Sequence, residues 1–304
     1  MTVFMMVGCP YSGKSTYAKE IANEYGAEIV SSDRIRFERF ADASCQKDSQ
    51  KIFEICRKRM HQFLQVGRDV IIDATSMTRK SRRSFLCELD RYEDLDVIAV
   101  VCAVPLEELK ARQKKRSRYV SWDVIMKQLK QFEFPLYGEG FSDIWVKGID
   151  IKYPEMLIAK VGKLTEVPHE TKWHKETIGD HMIEAYLYGI DKHYGHLVEQ
   201  AALYHDLGKG IVKSFMDRKG NPSEDAHFYG HAGVGAHVYA AYRWRQEETI
   251  EICQLISYHM CWAQREEKGL QKLRALMGEE LWKKLEQLHD CDEHGRDSDL
   301  EAIY

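Results

Sequence analysis

A glycine-rich loop close to the beginning of the chain constrains the fold more than any other feature. Residues 8–16 read GCPYSGKST, with an apolar run before them at 2–7 and a segment of helical character at 15–23. Gly8 and Gly13 let consecutive backbone N–H groups turn inward around phosphate oxygens without a side-chain clash. The succession of strand, loop and helix therefore predicts a site for a nucleotide triphosphate.

The loop also predicts which residues contact each part of the nucleotide. Lys14 reaches the β- and γ-phosphates, and Ser15 supplies a hydroxyl to Mg²⁺. The positive end of the following helix points at the anion. ATP and Mg²⁺ are therefore the expected cofactors. The expected phosphate-binding residues are Gly8, Ser12, Gly13, Lys14, Ser15 and Thr16.

Further apolar runs indicate how the rest of the chain folds. They occupy 69–72, directly before Asp73, and 95–103, with helical segments between them. Such runs are typical of parallel strands buried on both faces, so we expect a doubly wound α/β domain with its site at the carboxyl ends of the strands. From about residue 170, long helical segments predict an all-α domain. The predicted boundaries are 1–155 for the first domain, 156–168 for the connection and 169–304 for the second domain.

Composition and charge narrow the class of protein. Of the 304 residues, 44% are apolar and 30% are charged, as in ordinary globular proteins of about two domains. No apolar run approaches the roughly 18 residues that cross a membrane, so no membrane partner is expected. Eight cysteines without a CxxC pair favour a reduced, cytoplasmic setting. The net charge of −4 means that affinity for a nucleic acid must come from local basic clusters.

Two carboxylates follow apolar runs on the side where the phosphates are expected. Asp33 comes just after the short run Ile29-Val30, where it can accept a proton from an attacking hydroxyl. Its alternative role is the N-cap of a helix that begins at Arg34. Asp73 either holds the water shell of Mg²⁺ or positions Thr75, and its alternative role is to cap the next helix.

Two basic clusters accompany these carboxylates. One occupies 79–83, and the other occupies 110–118. Arg112 and Arg116 are four residues apart, so a helix would place both guanidinium groups on one face, where they could close over transferring phosphates. The remaining lysines of these clusters are expected on solvated surfaces.

The first half of the chain resembles the 5′-hydroxyl polynucleotide kinases of phage and bacterial end-healing systems. The resemblance covers residues 1–150 and rests on the glycine loop (the P-loop), on Asp33 with Arg36 three residues later, on Asp73 with its basic helix, and on Arg112 and Arg116. It implies that Asp33 is the general base, and that Arg112 and Arg116 form a lid. It also implies that Arg36 and Arg83 contact the substrate strand. Related P-loop kinases act on small molecules, so the loop alone does not specify a polynucleotide.

Histidines and aspartates recur at expected helix ends in the second half, where imidazole and carboxylate ligands suit first-row divalent metals. Their order resembles the H…HD…D signature of the HD phosphohydrolase superfamily over residues 170–296. Residues 173–176 and 230–231 resemble the HD domains attached to tRNA nucleotidyltransferases. The residues concerned are His181, His205, Asp206, His231, His259 and Asp292.

The HD resemblance implies two metal positions. His181, His205, Asp206 and Asp292 would hold one metal. Asp206 would bridge to a second metal held by His231 and His259. Asp292 is preferred to Asp290 as the last ligand. The alternatives are that Asp290 is this ligand, or that Asp290 accepts a hydrogen bond that supports a ligand. Lys209 would neutralise the scissile phosphate, with an ordinary solvated lysine as the alternative. The histidines expected to be structural are His169, His174, His193, His196, His227, His237 and His289.

Together the resemblances imply an α/β P-loop kinase domain followed by an all-α HD domain. Enzymes that join these activities phosphorylate a 5′-hydroxyl and remove a 2′,3′-cyclic or 3′-phosphate, with RNA or DNA ends as substrates. In that family the HD domain comes first, whereas here it comes second. The implied cofactors are ATP, Mg²⁺ and one or two transition metals (Mn, Fe, Co, Ni or Zn). Two alternatives stay open: an HD nucleotide phosphohydrolase regulated by a nucleotide-sensing P-loop domain, and a small-molecule kinase.

Overall fold

The computed structural model describes residues 1–295 apart from 44, 46, 117, 118, 151–154, 173, 174, 244 and 245. Two compact units make up the chain. The first contains Met1–Gln128 and Pro135–Lys147, and the second contains Leu129–Phe134 and Gly148–Tyr304. The boundaries expected from the sequence stay predictions.

The first unit is built on a five-stranded parallel sheet. Its strands are β1 (Thr2–Val7), β2 (Glu28–Ser31), β3 (Val70–Asp73), β4 (Asp96–Cys102) and β5 (Asp143–Lys147). They lie in the order β2-β3-β1-β4-β5, and every neighbouring pair is parallel. The prediction of a doubly wound α/β domain is therefore confirmed. Its helices are α1 (Lys14–Tyr25), α2 (Ser32–Phe40), α3 (Ser49–Gln65), α4 (Arg79–Leu86), α5 (Leu106–Lys115) and α6 (Trp122–Lys130).

The central strands are buried because almost all of their side chains are apolar. Val70, Ile71 and Ile72 of β3 are fully buried, as expected for a strand covered on both faces. On one face of the sheet, Phe4 and other strand residues pack against Ala18 of α1. This packing holds the carboxyl ends of β1, β2 and β3 side by side, and the phosphate-site candidates follow those three strands.

The second unit is mainly helical. Its helices are α7 (Glu155–Leu164), α8 (Ile178–Asp191), α9 (His196–Tyr204), α10 (Lys209–Val212), α11 (His231–Ala240), α12 (Gln246–Tyr258), α13 (Cys261–Gln264) and α14 (Glu267–His294). Gly278 interrupts α14 with a φ of 75°, which forms a kink. The helical domain predicted from the sequence is confirmed. Over the described part of the chain, every helix is too short or too polar to span a bilayer.

Short strands supplement the helices of the second unit. β7 (Ser214–Met216) and β8 (Pro222–His227) form an antiparallel hairpin between α10 and α11. β6 (Ile149–Asp150) pairs in parallel with β9 (Tyr242–Arg243). The sequence did not predict the hairpin, because strands of three and six residues carry too little alternation to be recognised. Its turn depends instead on Asp217, whose carboxylate accepts hydrogen bonds from the backbone of Lys219 and Asn221.

Candidate active sites

Two glycines give the P-loop its shape. At Gly8, φ is 154°, and a Cβ atom would lie 2.6 Å from the carbonyl oxygen of Cys102 and 2.7 Å from Oγ of Ser12. At Gly13, φ is 99°, and this residue directly precedes α1. Any side chain at Gly8 would clash with the end of β4, so both positions require glycine. The loop passes directly into the amino end of α1, as an anion site requires.

Side chains from the first turn of α1 and from the end of β3 meet at this loop. Lys14 Nζ donates to the carbonyl oxygen of Cys9 at 2.7 Å, and Ser15 Oγ donates to Asp73 Oδ2 at 3.0 Å. The N-cap of α4 is Thr78, which forms a reciprocal capping box with Ser81. The alternative that Asp73 caps the next helix is therefore wrong. Asp73 faces the hydroxyl that is expected to bind Mg²⁺.

Asp33 lies in the first turn of α2. Ser31 is the N-cap of this helix and accepts from the backbone N–H of Arg34 at 3.4 Å, so the alternative N-cap role of Asp33 is wrong. The Asp33 side chain is 51% exposed, and its Oδ1 lies 3.5 Å from Nη1 of the buried Arg36. The Arg36 guanidinium also lies over the ring of Phe53, 5.8 Å from its centre.

A cavity of about 520 Å³ brings most of the predicted kinase residues together. Its walls include Gly13, Lys14, Ser15, Asp33, Arg36, Phe53, Asp73, Thr75, Arg116, Tyr119, Val124 and Gln128. Arg83 is exposed on α4 and is not among the residues that line this cavity. Its neighbour Arg82 is fully buried and pairs with Glu139 at 2.7 Å. A contact between Arg83 and a substrate strand stays a prediction.

The two lid arginines do not share a helical face, so that prediction is wrong. α5 ends at Lys115, and Arg116 has an extended backbone with φ −94° and ψ 140°. Tertiary hydrogen bonds at Val120 draw the chain away from the helical path, because its N–H donates to the Tyr11 hydroxyl at 2.7 Å and its carbonyl accepts from Gln113 at 2.6 Å. Arg116 then lines the cavity.

Arg112 reaches the P-loop directly from α5. Its Nη1 donates to the carbonyl oxygen of Tyr11 at 3.2 Å, and its Nε donates to Glu108 at 2.8 Å. Both partners of the ion pair are partly exposed, so the pair contributes little to stability. The structure thus brings Arg112 and Arg116 to the same loop through different parts of the chain.

The second unit gathers its predicted ligands from five segments into one buried cluster. They come from α8, the end of α9, the start of α11, the residue after α12, and the last turn of α14. All six are at least 94% buried, namely His181, His205, Asp206, His231, His259 and Asp292. Gly208 allows this convergence, because a Cβ atom there would lie 2.1 Å from the carbonyl oxygen of His231.

Backbone carbonyls orient the four imidazoles in the same way. The Nδ1 atom of each lies within hydrogen-bond distance of a carbonyl oxygen. These pairs are His181 with Gly295 at 3.1 Å, His205 with Ala202 at 2.7 Å, His231 with Phe228 at 2.8 Å, and His259 with Ile256 at 2.7 Å. Each ring therefore carries a proton on Nδ1 and directs Nε2 into the cluster, where Nε2 would bind a metal ion once it is free of its own proton.

The Nε2 atoms form two groups on either side of Asp206. His181 and His205 are 3.2 Å apart, and His231 and His259 are 3.0 Å apart. Asp206 Oδ2 is 3.2 Å from His205, and Oδ1 is 3.2 Å from His231. The Oδ1 atom is buried and accepts no hydrogen bond. The Nε2 atoms and the carboxylate thus make two groups of ligands that would suit divalent cations, and Asp206 belongs to both groups.

Charge in this cluster agrees with a cation site. Burial lowers the pKa of His259 to about 3, which keeps its imidazole neutral and able to bind metal. Burial opposes charge on His205 as well, but Asp206 and Asp292 outweigh it and raise the pKa of His205 to about 10. The two carboxylates therefore favour positive charge between the rings.

Lys209 belongs to the cluster rather than to the surface. Its Nζ lies 2.5 Å from Asp206 Oδ2, and the residue is 8% exposed, so the alternative of a solvated lysine is wrong. His169, which the sequence predicted to be structural, is fully buried with Nε2 3.2 Å from Lys209 Nζ. No spacing pattern marks His169, because it lies in the irregular segment before α8.

The two candidate aspartates at the end of α14 have different surroundings. Asp292 Oδ1 is 3.1 Å from His181 Nε2, inside the cluster. Asp290 accepts from the Tyr194 hydroxyl at 2.5 Å and lies 3.3 Å from His294. His289, Asp292 and Glu293 form a further group whose ligand atoms lie within 4.8 Å of one another. Trp173 and His174 lie outside the described residues, as does residue 296 at the end of the predicted HD match.

Each half of the chain matches the sequence model of a known domain family. Residues 3–135 match the sequence model of a family described as an AAA domain, and residues 178–303 match that of the HD domain. The chain therefore joins a P-loop kinase domain to an HD domain, and both domains indicate an enzyme. HD domains bind divalent metals, and the His and Asp groups around Asp206 fit such a site.

Several solved structures are similar to part of this chain. A chain of the Pnkp1/Rnl/Hen1 RNA repair complex is 28% identical over 43% of this chain and 43% of its own, with a TM-score of 0.38. A sugar kinase from Janibacter sp. HTCC2649 is 22% identical over 53% of this chain and 92% of its own, with a TM-score of 0.36. The shikimate kinase of Acinetobacter baumannii is 18% identical over 54% and 91%, with a TM-score of 0.33. No curated protein matches the sequence significantly.

Proposed function

We propose that the chain is a two-site enzyme that edits phosphates at nucleic-acid ends. Its P-loop domain transfers the γ-phosphate of ATP to a 5′-hydroxyl, and its HD domain removes a 2′,3′-cyclic or 3′-phosphate. The observation that carries the kinase half is the single cavity lined by Lys14, Asp33 and Asp73. A nucleotide sensor needs the loop residues but no carboxylate that faces an acceptor, so this cavity favours a kinase.

Each kinase residue has a distinct task in this proposal. The P-loop N–H groups and Lys14 hold the phosphates of ATP, and Ser15 with Asp73 would hold Mg²⁺, which supplies charge neutralisation on the phosphates. Asp33 accepts the proton of the attacking hydroxyl, since its exposed carboxylate lies in the cavity wall. Arg36 orients that carboxylate from 3.5 Å.

The wall of the cavity supports a nucleotide end as acceptor. Tyr119 is 71% exposed, although a large aromatic side chain gains by burial, and Phe53 lies under the Arg36 guanidinium. Arg116 adds a second cation to the same cavity. Aromatic faces that alternate with cations suit stacked bases and their phosphates.

The proposed hydrolase site follows from the donor set. His181, His205 and Asp206 would hold one divalent metal together with Asp292, whose Oδ1 lies 3.1 Å from His181 Nε2, and Asp206, His231 and His259 would hold a second. Metals bound there polarise a phosphoester and lower the pKa of an attacking water. Lys209 holds a positive charge beside the bridging carboxylate, where it neutralises the scissile phosphate.

A small-molecule kinase is the second candidate, and the size of the cavity favours it. About 520 Å³ lies within the range of sites that enclose small ligands. The transfer of labelled γ-phosphate separates the two candidates when 5′-hydroxyl RNA, 5′-hydroxyl DNA, nucleosides and small polyols are compared side by side. Preference for an oligonucleotide over its nucleoside supports the proposal, and equal or better transfer to nucleosides or polyols contradicts it.

The hydrolase half has its own test. Metal-loaded protein is incubated with oligonucleotides that end in a 2′,3′-cyclic phosphate or a 3′-phosphate, and with free nucleotides. Release of the terminal phosphate from the oligonucleotides supports the proposal. Hydrolysis restricted to free nucleotides would instead support the nucleotide phosphohydrolase alternative.

A further inference from the structure

A buried line of polar contacts leads from the candidate bridging carboxylate to a histidine outside the predicted ligand set. Lys209 Nζ lies 2.5 Å from Asp206 Oδ2 and 3.2 Å from His169 Nε2. The ring of Phe228 packs beside the same ammonium group, 5.5 Å from Nζ to the ring centre. Three different groups therefore surround the end of one lysine.

The hydrogen bonds of His169 determine its role toward Lys209. Its Nδ1 lies 3.0 Å from the carbonyl oxygen of Glu176, which can only accept, so Nδ1 carries the ring proton. The Nε2 atom then has a lone pair, and Lys209 donates to it. His169 is fully buried, and its ring packs edge-on against that of His181 at 5.6 Å between centres.

An ammonium group has three N–H donors and rotates freely on a flexible stem. Lys209 pairs by charge with Asp206 Oδ2 and donates to His169 Nε2, and these two contacts together fix where the ammonium group lies. We propose that His169 is a positioning residue that aims the Lys209 ammonium at the phosphate of a bound substrate. This inference rests on the proposed phosphohydrolase function, and it concerns a residue that is not itself a metal ligand.

Two substitutions separate this role from simple packing. His169→Gln keeps an acceptor near the position of Nε2, whereas His169→Leu has similar volume and no acceptor. His196→Gln is the matched control, because His196 is exposed and pairs with Glu248 at 3.2 Å. Metal content, melting temperature, affinity of the metal-loaded protein for inorganic phosphate, and kcat and KM for hydrolysis are measured for each variant.

We expect unchanged metal content in all variants. His169→Leu should lose about 10- to 100-fold in kcat, as is usual for residues that orient a metal site, and it should bind phosphate about 10-fold more weakly. His169→Gln should recover most of both losses. Equal behaviour of the glutamine and leucine variants, whether normal or impaired, would overturn the proposal.

The test stays decisive if one part of it fails. If the leucine variant does not fold, His169→Asn replaces it, because its shorter amide cannot reach the Nε2 position. If the wild-type protein hydrolyses no phosphoester, the proposed function fails, while the phosphate affinities of the variants still decide the role of His169. If hydrolysis is normal in both His169 variants but absent in Asp206→Asn, the function stands and the positioning role is refuted.

Discussion

The hydroxyl of Ser15 donates a hydrogen bond to the carboxylate of Asp73, with 3.0 Å between Oγ and Oδ2. Ser15 follows β1 and Asp73 ends β3, and these two strands are neighbours in the sheet. A hydroxyl and a carboxylate at this place are oxygen ligands that suit Mg²⁺ and its water shell.

Asp73→Asn tests this pair. The amide oxygen can still accept from Ser15, but the negative charge is lost. We therefore expect the Mg²⁺ concentration that gives half of the maximal transfer rate to rise about 10- to 100-fold. Asp69→Asn is the matched control, because Asp69 directly precedes the same strand, far from Ser15, and accepts from the backbone of Thr2 at 2.7 Å. Transfer rates over a magnesium titration provide the measurement. Identical magnesium curves for wild type and Asp73→Asn would show that Asp73 has no part in the metal site.

Asp33→Asn should abolish phosphoryl transfer while ATP still binds. The carboxylate is lost as a proton acceptor, but the P-loop is untouched, so a decrease of about two to four orders of magnitude in kcat is expected. ATP affinity, measured by calorimetry on the same preparation, serves as the internal control. Transfer at the wild-type rate would exclude Asp33 as the base and favour the nucleotide-sensing alternative.

The kinase fold was largely predictable from the sequence, whereas details of its site were not. Apolar runs and the glycine loop are local patterns, so the strands and the phosphate cradle could be read directly. The end of α5 depends on the contact of Val120 with Tyr11, which lies 109 residues away in the sequence. A contact between such distant residues cannot be predicted from the local sequence pattern. The caps Ser31 and Thr78 were missed for a simpler reason, since a nearby aspartate competed with each as the expected cap.

Arg116→Ala should lower turnover without changing stability. Arg116 is exposed in the cavity wall, where it would stabilise charge that develops during transfer, so a loss of about 100- to 1,000-fold in kcat is expected. Arg112→Ala should lower turnover and also lower the melting temperature slightly, because Arg112 donates to the P-loop backbone. Lys115→Ala, an adjacent exposed cation, is the control. Parallel losses of rate and stability in Arg116→Ala would indicate a structural role instead.

Asp206→Asn should remove metal more completely than His259→Ala. Asp206 presents one oxygen to each group of imidazoles, whereas His259 belongs to one group. We therefore expect Asp206→Asn to lose both metals and all hydrolysis, and His259→Ala to keep about one metal per chain. The kinase rate should be unchanged in both variants. Metal content by mass spectrometry decides, and a wild-type protein purified without bound metal that still hydrolyses its substrate would exclude the proposed centre.

The cluster of candidate metal ligands was more predictable than the residues around it. The six ligand candidates lie at helix ends that the sequence pattern indicates, and the structure brings all six together. His169 and the β7–β8 hairpin could not be predicted, because a single histidine in an irregular segment and two short strands give no periodic signal. Asp290 and Asp292 could not be distinguished by type either. They point about 200° apart on a helix, so only one of them can face the cluster.

Asp292→Asn and Asp290→Asn form a matched pair for this choice. Asp292→Asn should weaken metal binding about 10- to 100-fold and abolish hydrolysis, because its Oδ1 lies 3.1 Å from His181 Nε2. Asp290→Asn should keep its metal and its activity. It should instead lower the pKa of Tyr194, since the hydrogen bond to Asp290 raises that pKa in the wild-type protein. Metal content and a tyrosinate absorbance titration of both variants give independent readouts. Loss of metal in Asp290→Asn with retention in Asp292→Asn would reverse the assignment.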